Sequence, residues 1–564
     1  MSHSTSPATA KAATSRDATR LIATMEVLLI FVLFFVLAGG AAPDVNEAHY
    51  LSKAKHYWNS EWCRGDLFLQ SADAHLVFYW TIGWLTQLFS LAAVAWIGRC
   101  ITWLLLAWSW RRLSVAVVPG RLWSLLTAAL FAMILRCSHL AGEWVIGGVE
   151  AKGFAFACVF LGLEALVHNR WPKAWVLFGA ASAFHVLVGG WSVVAAIMAW
   201  LLSKNGRPSL IEMLPALALG GGIALVGLLP GVMLTSGIDA DVVNEANKIY
   251  VHERLSHHLL FNRILSQPLT LDFTYLGASP LILPYSHLFF LRHMAAIAMG
   301  ISLWRFVRPN GGSARLYYFA AGALAIAGIG IMIDQATMYH DALAAKLMRY
   351  YWFRLSDVMV PLSIALLSAQ AIQLLKVSRP VASHWALAGC IVLVTFNTSD
   401  LVLRRMHDPK PPAIVQAQPI TMTREQADRC YLDWLDTCAW IARHTREDEV
   451  FLTPRHQQTF KWYAQRGEVV AWKDIPQDAA GVVEWKRRLD EVFPASLGGY
   501  NLTAHGEQEL QRLTDKYGAR HVVIDRSQTS RPLSFVRVYP ERWRSDSCFE
   551  VYRVPSLPPN ESPD

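Results

Sequence analysis

The sequence predicts an α-helical protein that crosses a membrane many times and carries a small water-soluble α/β domain at its C-terminus. Apolar residues make up 54% of the 564 positions and charged residues 17%, whereas average soluble chains carry charge on about a quarter of their residues. The apolar residues are clustered, and runs such as 21–39, 174–202 and 317–333 reach the roughly 17–25 residues that cross a bilayer. These runs lack the alternation of barrel strands, so helices are the expected spanning element.

The apolar runs predict about eleven transmembrane helices. They lie near residues 21–42, 85–110, 121–137, 150–168, 173–189, 190–203, 211–235, 280–306, 316–334, 355–376 and 385–403. With the N-terminus in the cytoplasm, the arginines and lysines of the short loops fall on the inner side, as the positive-inside rule requires. An odd number of spans then leaves the C-terminal domain outside. The predicted location is therefore the bacterial cytoplasmic (inner) membrane, with an extracytoplasmic C-terminus.

Three parts follow from this topology: a disordered cytoplasmic tail at 1–18, a transmembrane domain at 19–405 with a first outer loop at 43–75, and a soluble domain at 411–564. In the soluble domain, EVFLTP and RHVVIDRS predict strands, HQQTFKWYAQR and VEWKRRLDEVF predict helices, and FVRVYPERWRSDSCFEVYRV predicts a closing hairpin. No glycine-rich phosphate loop follows either strand, so no nucleotide is predicted. Cys430, Cys438 and Cys548 permit a disulfide if the domain faces an oxidising compartment.

The first outer loop is the richest in carboxylates, with Asp44, Glu47, Glu61, Asp66 and Asp73. A helix over 46–57 would place Glu47 on one face with Tyr50, with Lys53 beside them. A carboxylate at the membrane–water boundary is a candidate general base, because partial desolvation and a nearby cation tune its proton affinity. The alternative interpretation is a solvated loop with ordinary acids.

Three further groups of charged residues border the outer side. Glu143, Glu150 and Lys152 lie at the top of an apolar span, where ionisable groups usually line a cavity unless they only extend to the interface. Arg254, His257 and His258 suit an anion such as phosphate, whereas the spacing in HERLSH is one residue too long for the zinc motif HExxH. Arg354 either pairs with Asp357 on one helix face or turns to the outer cavity. His185 either packs in the protein interior or lines the site.

A short sequence motif, Asn46-Glu47-Ala48-His49-Tyr50, follows directly after the first span. This stretch and the span arrangement resemble the GT-C superfamily of membrane glycosyltransferases, in which an Asp-Glu pair is followed by an aromatic residue. Asn46 stands where those proteins have aspartate, and an amide cannot accept a proton. Glu47 therefore carries over directly, and Asp44, Asp66 or Asp73 would supply the second acid. Blocks such as GEWVIGGVEAKG and FHVLVGGW also resemble a bacterial membrane family related to this superfamily.

The resemblance implies an inverting glycosyltransferase that moves a sugar from a polyprenyl-phosphate carrier to an acceptor on the extracytoplasmic face of the cell envelope. Its implied general base is Glu47, with Asp44 and Asp66 as further catalytic acids. The implied substrate and phosphate site contains Lys152, Arg254, His257, His258, Arg354, Glu143 and Glu150. No cofactor or metal site is predicted, although a divalent ion is allowed.

The expected partners are the lipid-linked sugar, membrane lipids and an unidentified acceptor. Nucleic acid is not expected, because the formal charge of +8 comes without a basic block. Two alternatives stay open. A transporter or flippase of a lipid-linked substrate fits the glycine-interrupted spans near 147 and 189. A non-catalytic assembly protein with the same membrane architecture fits the presence of Asn46.

Overall fold

The computed structural model describes residues 7–204, 206–271, 281–283, 287–419, 422–542, 544 and 546–555. Within these ranges a helix overlaps every predicted span: Pro7–Ala38, Leu91–Val117, Trp123–Ser138, Ala151–Val167, Trp171–Phe184, Val186–Leu202, Leu210–Met233, Leu288–Val307, Gly311–Thr337, Arg354–Ser378 and Pro380–His407. The first of them begins inside the predicted disordered tail. Its start is alanine-rich with proline at the first helical position, a composition that favours a helix.

Six helices are long and apolar enough to cross a membrane by length and composition: Thr19–Ala38, Leu91–Val117, Leu210–Met233, Gly311–Thr337, Arg354–Ser378 and Pro380–His407. The predicted class, a mostly helical membrane protein, is confirmed. The other helices are shorter or more polar, so the total number of crossings stays a prediction.

The helices pack around Arg354–Ser378, whose apolar window is 72% buried, whereas none of the window of Pro380–His407 is buried. Helix Arg354–Ser378 is thus central, and helix Pro380–His407 is peripheral. Aromatic rings fill the core beside the centre, where Trp110 stacks on Phe131 at 4.5 Å and meets Phe160 edge-on at 5.5 Å. Offset and edge-to-face rings of this kind stabilise a core beyond their buried area.

Short elements cover one end of the bundle. In the first outer loop they are Glu47–Trp58, Leu67–Gln70, Leu76–Thr81 and the 3₁₀ turn Gly83–Gln87. In the later loops they are Ala240–Lys248, the π-helical turn Ile249–Arg254, Ser256–Leu259, Phe261–Leu265, the antiparallel strands Leu269–Leu271 and Leu281–Leu283, and Asp341–Met348. The predicted helix over 46–57 is confirmed by Glu47–Trp58.

Residues 412–555, here called the C-terminal segment, contain a five-stranded sheet in the order Gly467–Glu468, Val450–Leu452, Ala519–Asp525, Phe549–Arg553, Val536–Tyr539. The first three strands are parallel and the last two pair antiparallel. The flanking helices are Pro412–Ala417, Arg424–His444, Phe460–Ala464, Ala479–Val492 and Glu507–Tyr517, with 3₁₀ turns at Ala495–Leu497 and Leu502–His505. The predicted strands, helices and closing hairpin are confirmed.

A disulfide joins Cys430, on helix Arg424–His444, to Cys548, beside the last strand, with an S–S distance of 2.02 Å. Cys438 is buried and free. Of the three cysteines that the sequence allowed, the structure therefore pairs the first and the last.

Candidate functional site

Glu47 lies at the start of the first outer-loop helix and is completely buried. Its carboxylate receives two guanidinium contacts from Arg99, at 2.6 and 2.5 Å, and the backbone N–H groups of Asp44 at 2.7 Å and Val149 at 2.8 Å. Arg99 also donates to the carbonyl of Gly40 at 2.6 Å. A carboxylate that accepts four hydrogen bonds and pairs with a buried guanidinium holds the loop in place. It is poorly suited to take a proton from a substrate.

Asp44 is the carboxylate that this arrangement leaves available. Its Oδ1 accepts from the N–H of Val45 at 2.7 Å and its Oδ2 from the N–H of Gly148 at 2.8 Å. The side chain is partly exposed and forms no ion pair with any residue in the described ranges. The side-chain amide of the neighbouring Asn46 donates to the carboxylate of Glu150 at 2.7 Å.

Gly148 permits the close approach of these two loops. A Cβ atom at this position would lie 2.6 Å from the Cβ of Asp44 and 2.9 Å from the carboxyl carbon of Glu47. We expect Gly148→Ala to displace Asp44. Should a first-loop acid act on a substrate, as the family resemblance implies, this variant would lower turnover by about 10²-fold, the usual effect of a small misplacement of reacting groups. Gly190→Ala is the matched control, because nothing lies within 4 Å of its added Cβ. Equal turnover of the two purified variants would contradict this expectation.

A buried chain of ion pairs runs on from Glu150. The ammonium of Lys152 lies 3.5 Å from Glu150 and 3.1 Å from Glu143, and the other oxygen of Glu143 lies 2.6 Å from Arg354. All four side chains are at most 13% exposed. The ring of Trp144 covers the Lys152 ammonium at 3.8 Å, a favourable cation–π contact. Four predicted site residues, separated by up to about 200 positions in the chain, thus lie in one network.

The charges in this network stabilise one another. Burial alone would raise the pKa of Glu143, but the positive charges of Arg354 and Lys152 outweigh it and hold that pKa below its ordinary value. Glu143 is therefore ionised and shared between two cations. Such a network is rigid and water-poor, so an incoming charge would interact with it strongly.

Histidines extend the network towards the first outer loop. Arg354 lies 3.1 Å from His185, whose ring is 5.8 Å from that of His75, and His75 lies 3.4 Å from the hydroxyl of Tyr50. Burial lowers the pKa of His75 to about 4, so this ring is neutral at physiological pH. His185 lines the network, one of the two alternatives that the sequence left open. His75 was not identified from the sequence.

Asp357 does not pair with Arg354 on the helix face. Its carboxylate instead accepts from the backbone N–H groups of Leu140 at 2.7 Å, Ala141 at 2.9 Å and Glu143 at 3.2 Å. Three N–H donors satisfy a buried carboxylate without a cation. Asp357 thereby fixes the turn that presents Glu143, and Arg354 is left to contact the site.

Arg254, His257 and His258 lie on neighbouring turns but have different contacts. Arg254 is 7% exposed, donates to the carbonyl of Trp472 at 3.1 Å and pairs with no carboxylate in the described part of the chain. His258 contacts the carbonyl of Ala141 at 2.6 Å, and its ring centroid is 4.0 Å from that of His257. Across the described residues, no group of three or more His, Cys, Asp or Glu side chains is arranged to hold a metal ion.

Asp66, the third predicted catalytic acid, belongs to a different cluster. It caps helix Leu67–Gln70 through the N–H of Leu69, accepts from the N–H of Glu468 at 3.1 Å and lies 3.2 Å from the Lys461 ammonium. It is 1% exposed, and both of its oxygens accept from backbone N–H groups. The prediction that it takes part in catalysis is not supported by these contacts.

The cluster around Lys461 is called the clasp below. Its ammonium meets Asp66 from the first outer loop and, from the C-terminal segment, Glu468 at 2.5 Å and Asp474 at 2.6 Å. Asp474 also lies 3.0 Å from His49 on the first outer-loop helix. The clasp therefore fastens the C-terminal segment to the loop that carries Asp44. Nothing in the sequence pattern indicated these contacts.

Residues 432–492 match the model of a family described as a domain of unknown function (DUF6798). No curated protein matches the sequence. Among solved structures, the chain is similar to ArnT from Cupriavidus metallidurans bound to undecaprenyl phosphate, with 12% identity and a TM-score of 0.46 over 96% of this chain and 99% of that one.

The chain is also similar to the archaeal oligosaccharyltransferase AglB from Archaeoglobus fulgidus, in complex with an inhibitory peptide and a dolichol-phosphate. The identity is 10% and the TM-score 0.43, over 89% of this chain and 69% of that one. A structure of the Archaeoglobus fulgidus oligosaccharyltransferase in complex with Zn and sulfate has 11% sequence identity and a TM-score of 0.38. The match covers 89% of this chain and 68% of that one. At such identities and TM-scores the likeness assigns no activity to this chain.

Proposed function

We propose that this protein is a membrane glycosyltransferase that transfers a sugar from a polyprenyl-phosphate carrier to an acceptor hydroxyl, with inversion. The observation that supports it most is the buried ion-pair network of Glu143, Lys152 and Arg354, together with Arg254, a buried cation that has no carboxylate partner among the described residues. An unpaired buried cation is costly, and an anionic ligand would offset that cost.

Asp44 is the proposed general base, in place of Glu47. The acceptor hydroxyl would give its proton to the Asp44 carboxylate while its oxygen forms a bond to the anomeric carbon of the sugar. The bond from that carbon to the phosphate oxygen breaks on the opposite side, and the lipid phosphate leaves with the electron pair. Both Asp44 oxygens accept only one backbone N–H each, which leaves lone pairs for a proton.

Lys152, Arg254 and Arg354 are the proposed ligands of the leaving phosphate. The phosphate gains negative charge as the bond to the sugar breaks, so fixed cations in a water-poor site stabilise the transition state more than the ground state. Glu143 and Asp357 are proposed positioning residues. Glu143 holds Lys152 and Arg354 in place, and Asp357 fixes the turn that carries Glu143.

The proposed site faces the extracytoplasmic side. The disulfide Cys430–Cys548 supports this orientation, because disulfides persist in oxidising compartments and are rare in the cytosol. The clasp attaches the segment that carries this disulfide to the loop with Asp44, so the two would share one compartment.

The test uses the purified full-length protein in lipid nanodiscs with a radiolabelled polyprenyl-phosphate sugar and a membrane extract as acceptor source. We expect release of polyprenyl phosphate, and we expect Arg354→Gln to lower the rate by about 10²–10³-fold. The control is Arg64→Gln, which removes a guanidinium that is 66% exposed on the first outer loop. Movement of the intact lipid-linked sugar across the bilayer without cleavage would instead identify a transporter. If neither cleavage nor movement is observed, the interpretation that remains is a non-catalytic assembly protein.

A further inference from the structure

Lys473 belongs to the C-terminal segment and lies in the connection between strand Gly467–Glu468 and helix Ala479–Val492. The residue before it, Trp472, is held on both sides: its N–H donates to the carbonyl of Arg455 at 2.9 Å, and its carbonyl accepts from Arg254 at 3.1 Å. The indole of Trp472 also lies between the guanidinium groups of Arg455, at 4.8 Å, and Arg254, at 5.3 Å. The backbone that presents Lys473 is therefore fixed beside Arg254.

The Lys473 side chain is partly buried, and it forms no hydrogen bond or ion pair with any side chain that the structure describes. Its neighbour Asp474 is engaged by Lys461 and His49 in the clasp. Three of the charges that act on Lys473 belong to the proposed site: Arg254 and Lys152 repel it, whereas Glu150 attracts it. Asp474 of the clasp also attracts it. Burial and the two nearby cations lower its pKa to about 8.

We propose that Lys473 is a fourth phosphate ligand of the donor site, so that the site formed by the membrane helices is incomplete without the C-terminal segment. This proposal rests on the proposed function, since it assumes a phosphate-bearing lipid as donor. Arg254 is buried and Lys473 is partly buried, and Arg254 donates to the carbonyl of Trp472, the residue before Lys473. Among the described residues neither cation pairs with a carboxylate. A phosphate oxygen between them would neutralise both.

The proposal gives the C-terminal segment a direct role in substrate binding. The clasp fastens this segment to the first outer loop through Lys461 and Asp66, and Arg254 fastens it to the π-helical turn. These contacts bring the backbone of Lys473 close to Arg254.

The experiment measures binding of a radiolabelled polyprenyl phosphate, and separately of inorganic phosphate, to the full-length protein in nanodiscs. We expect Lys473→Met to weaken binding of polyprenyl phosphate by roughly tenfold or more, the usual effect of losing a charged hydrogen bond. Lys486→Met is the matched control, since it removes a lysine of the same segment that pairs with Glu253 at 3.2 Å, also on the π-helical turn. Lys473→Arg should retain binding.

The outcomes separate the two proposals. If the native protein binds polyprenyl phosphate and Lys473→Met binds it equally well, Lys473 is not a ligand and the proposed function stands. If the native protein does not bind polyprenyl phosphate, the proposed function is wrong. In that case, weaker binding of inorganic phosphate to Lys473→Met would still support Lys473 as a ligand of an anion, with a phosphate from another source. Unchanged binding of inorganic phosphate would overturn the proposal that Lys473 is a ligand.

The pH dependence provides a second readout that a purely structural lysine would not change. Lys473 is charged below its pKa of about 8 and loses its proton above it, so the affinity of the native protein should fall as pH rises beyond that value. The other groups that face it are Arg254, Lys152, Glu150, Asp474, His257 and His49. Burial lowers the pKa of His257 to about 4, so this ring stays neutral throughout. Lys473→Met should abolish the alkaline loss, and a loss that persists in this variant would contradict the proposal.

Discussion

Replacing Asp44 by asparagine is expected to lower the rate of sugar transfer by about 10²–10⁴-fold, the usual contribution of a positioned general base. Asparagine keeps the size of the side chain and the carbonyl oxygen that can accept from the N–H of Gly148, but it cannot take a proton. The rate is measured as release of polyprenyl phosphate at saturating donor. The affinity for polyprenyl phosphate should change little, because Asp44 is proposed to contact the acceptor.

Glu61→Gln is the matched control for this substitution. It also neutralises a carboxylate of the first outer loop, but one that is 74% exposed and pairs with the exposed Arg64 at 3.3 Å. Full activity of Asp44→Asn would refute the assignment of the base. Glu150→Gln should then be tested next, because Glu150 is the other carboxylate beside Asn46.

The second large effect is expected at the clasp, where Lys461→Met should destabilise the protein by about 3–5 kcal/mol. This change leaves Asp66, Glu468 and Asp474 buried together without their shared cation. Thermal unfolding in detergent measures the loss, and limited proteolysis shows whether the C-terminal segment detaches first. Transfer should fall as well, since the segment carries Lys473.

Lys486→Met again serves as the control, because its ion pairs with Glu253 and Asp490 are partly exposed and such pairs contribute about 0–1 kcal/mol. Combining Lys461→Met with Glu468→Gln should recover part of the lost stability, because the second change removes one of the buried carboxylates that lost their cation. If Lys461→Met unfolds at the same temperature as the control, the clasp does not hold the C-terminal segment.

The class of mostly helical membrane protein was predictable because apolar runs of bilayer length are local properties of the sequence. The strands Val450–Leu452 and Ala519–Asp525 were predictable for a similar reason, since each is a short apolar run between polar stretches. Glu143, Lys152 and Arg354 could be selected because ionisable groups at membrane depth are rare and usually functional.

The partners of those residues could not be predicted, because they depend on packing between distant segments. Glu47 matched a family motif, but its pairing with Arg99, 52 residues away, appears only in three dimensions. One signal was available, since Arg99 lies inside a predicted apolar span and a charge there requires a buried partner. Asp66 and Lys473 gave no comparable signal, because their roles depend on how the C-terminal segment docks.

The disulfide Cys430–Cys548 connects positions 118 residues apart, and its second cysteine lies beside the final strand of the sheet. The bond can close only after Cys548 has been synthesised and has reached an environment that oxidises thiols. If the C-terminal segment lies outside the cytoplasm, as proposed, the protein acquires this bond only in a host that exports the segment and oxidises its thiols. A host that keeps the thiols reduced would yield the sheet without the disulfide.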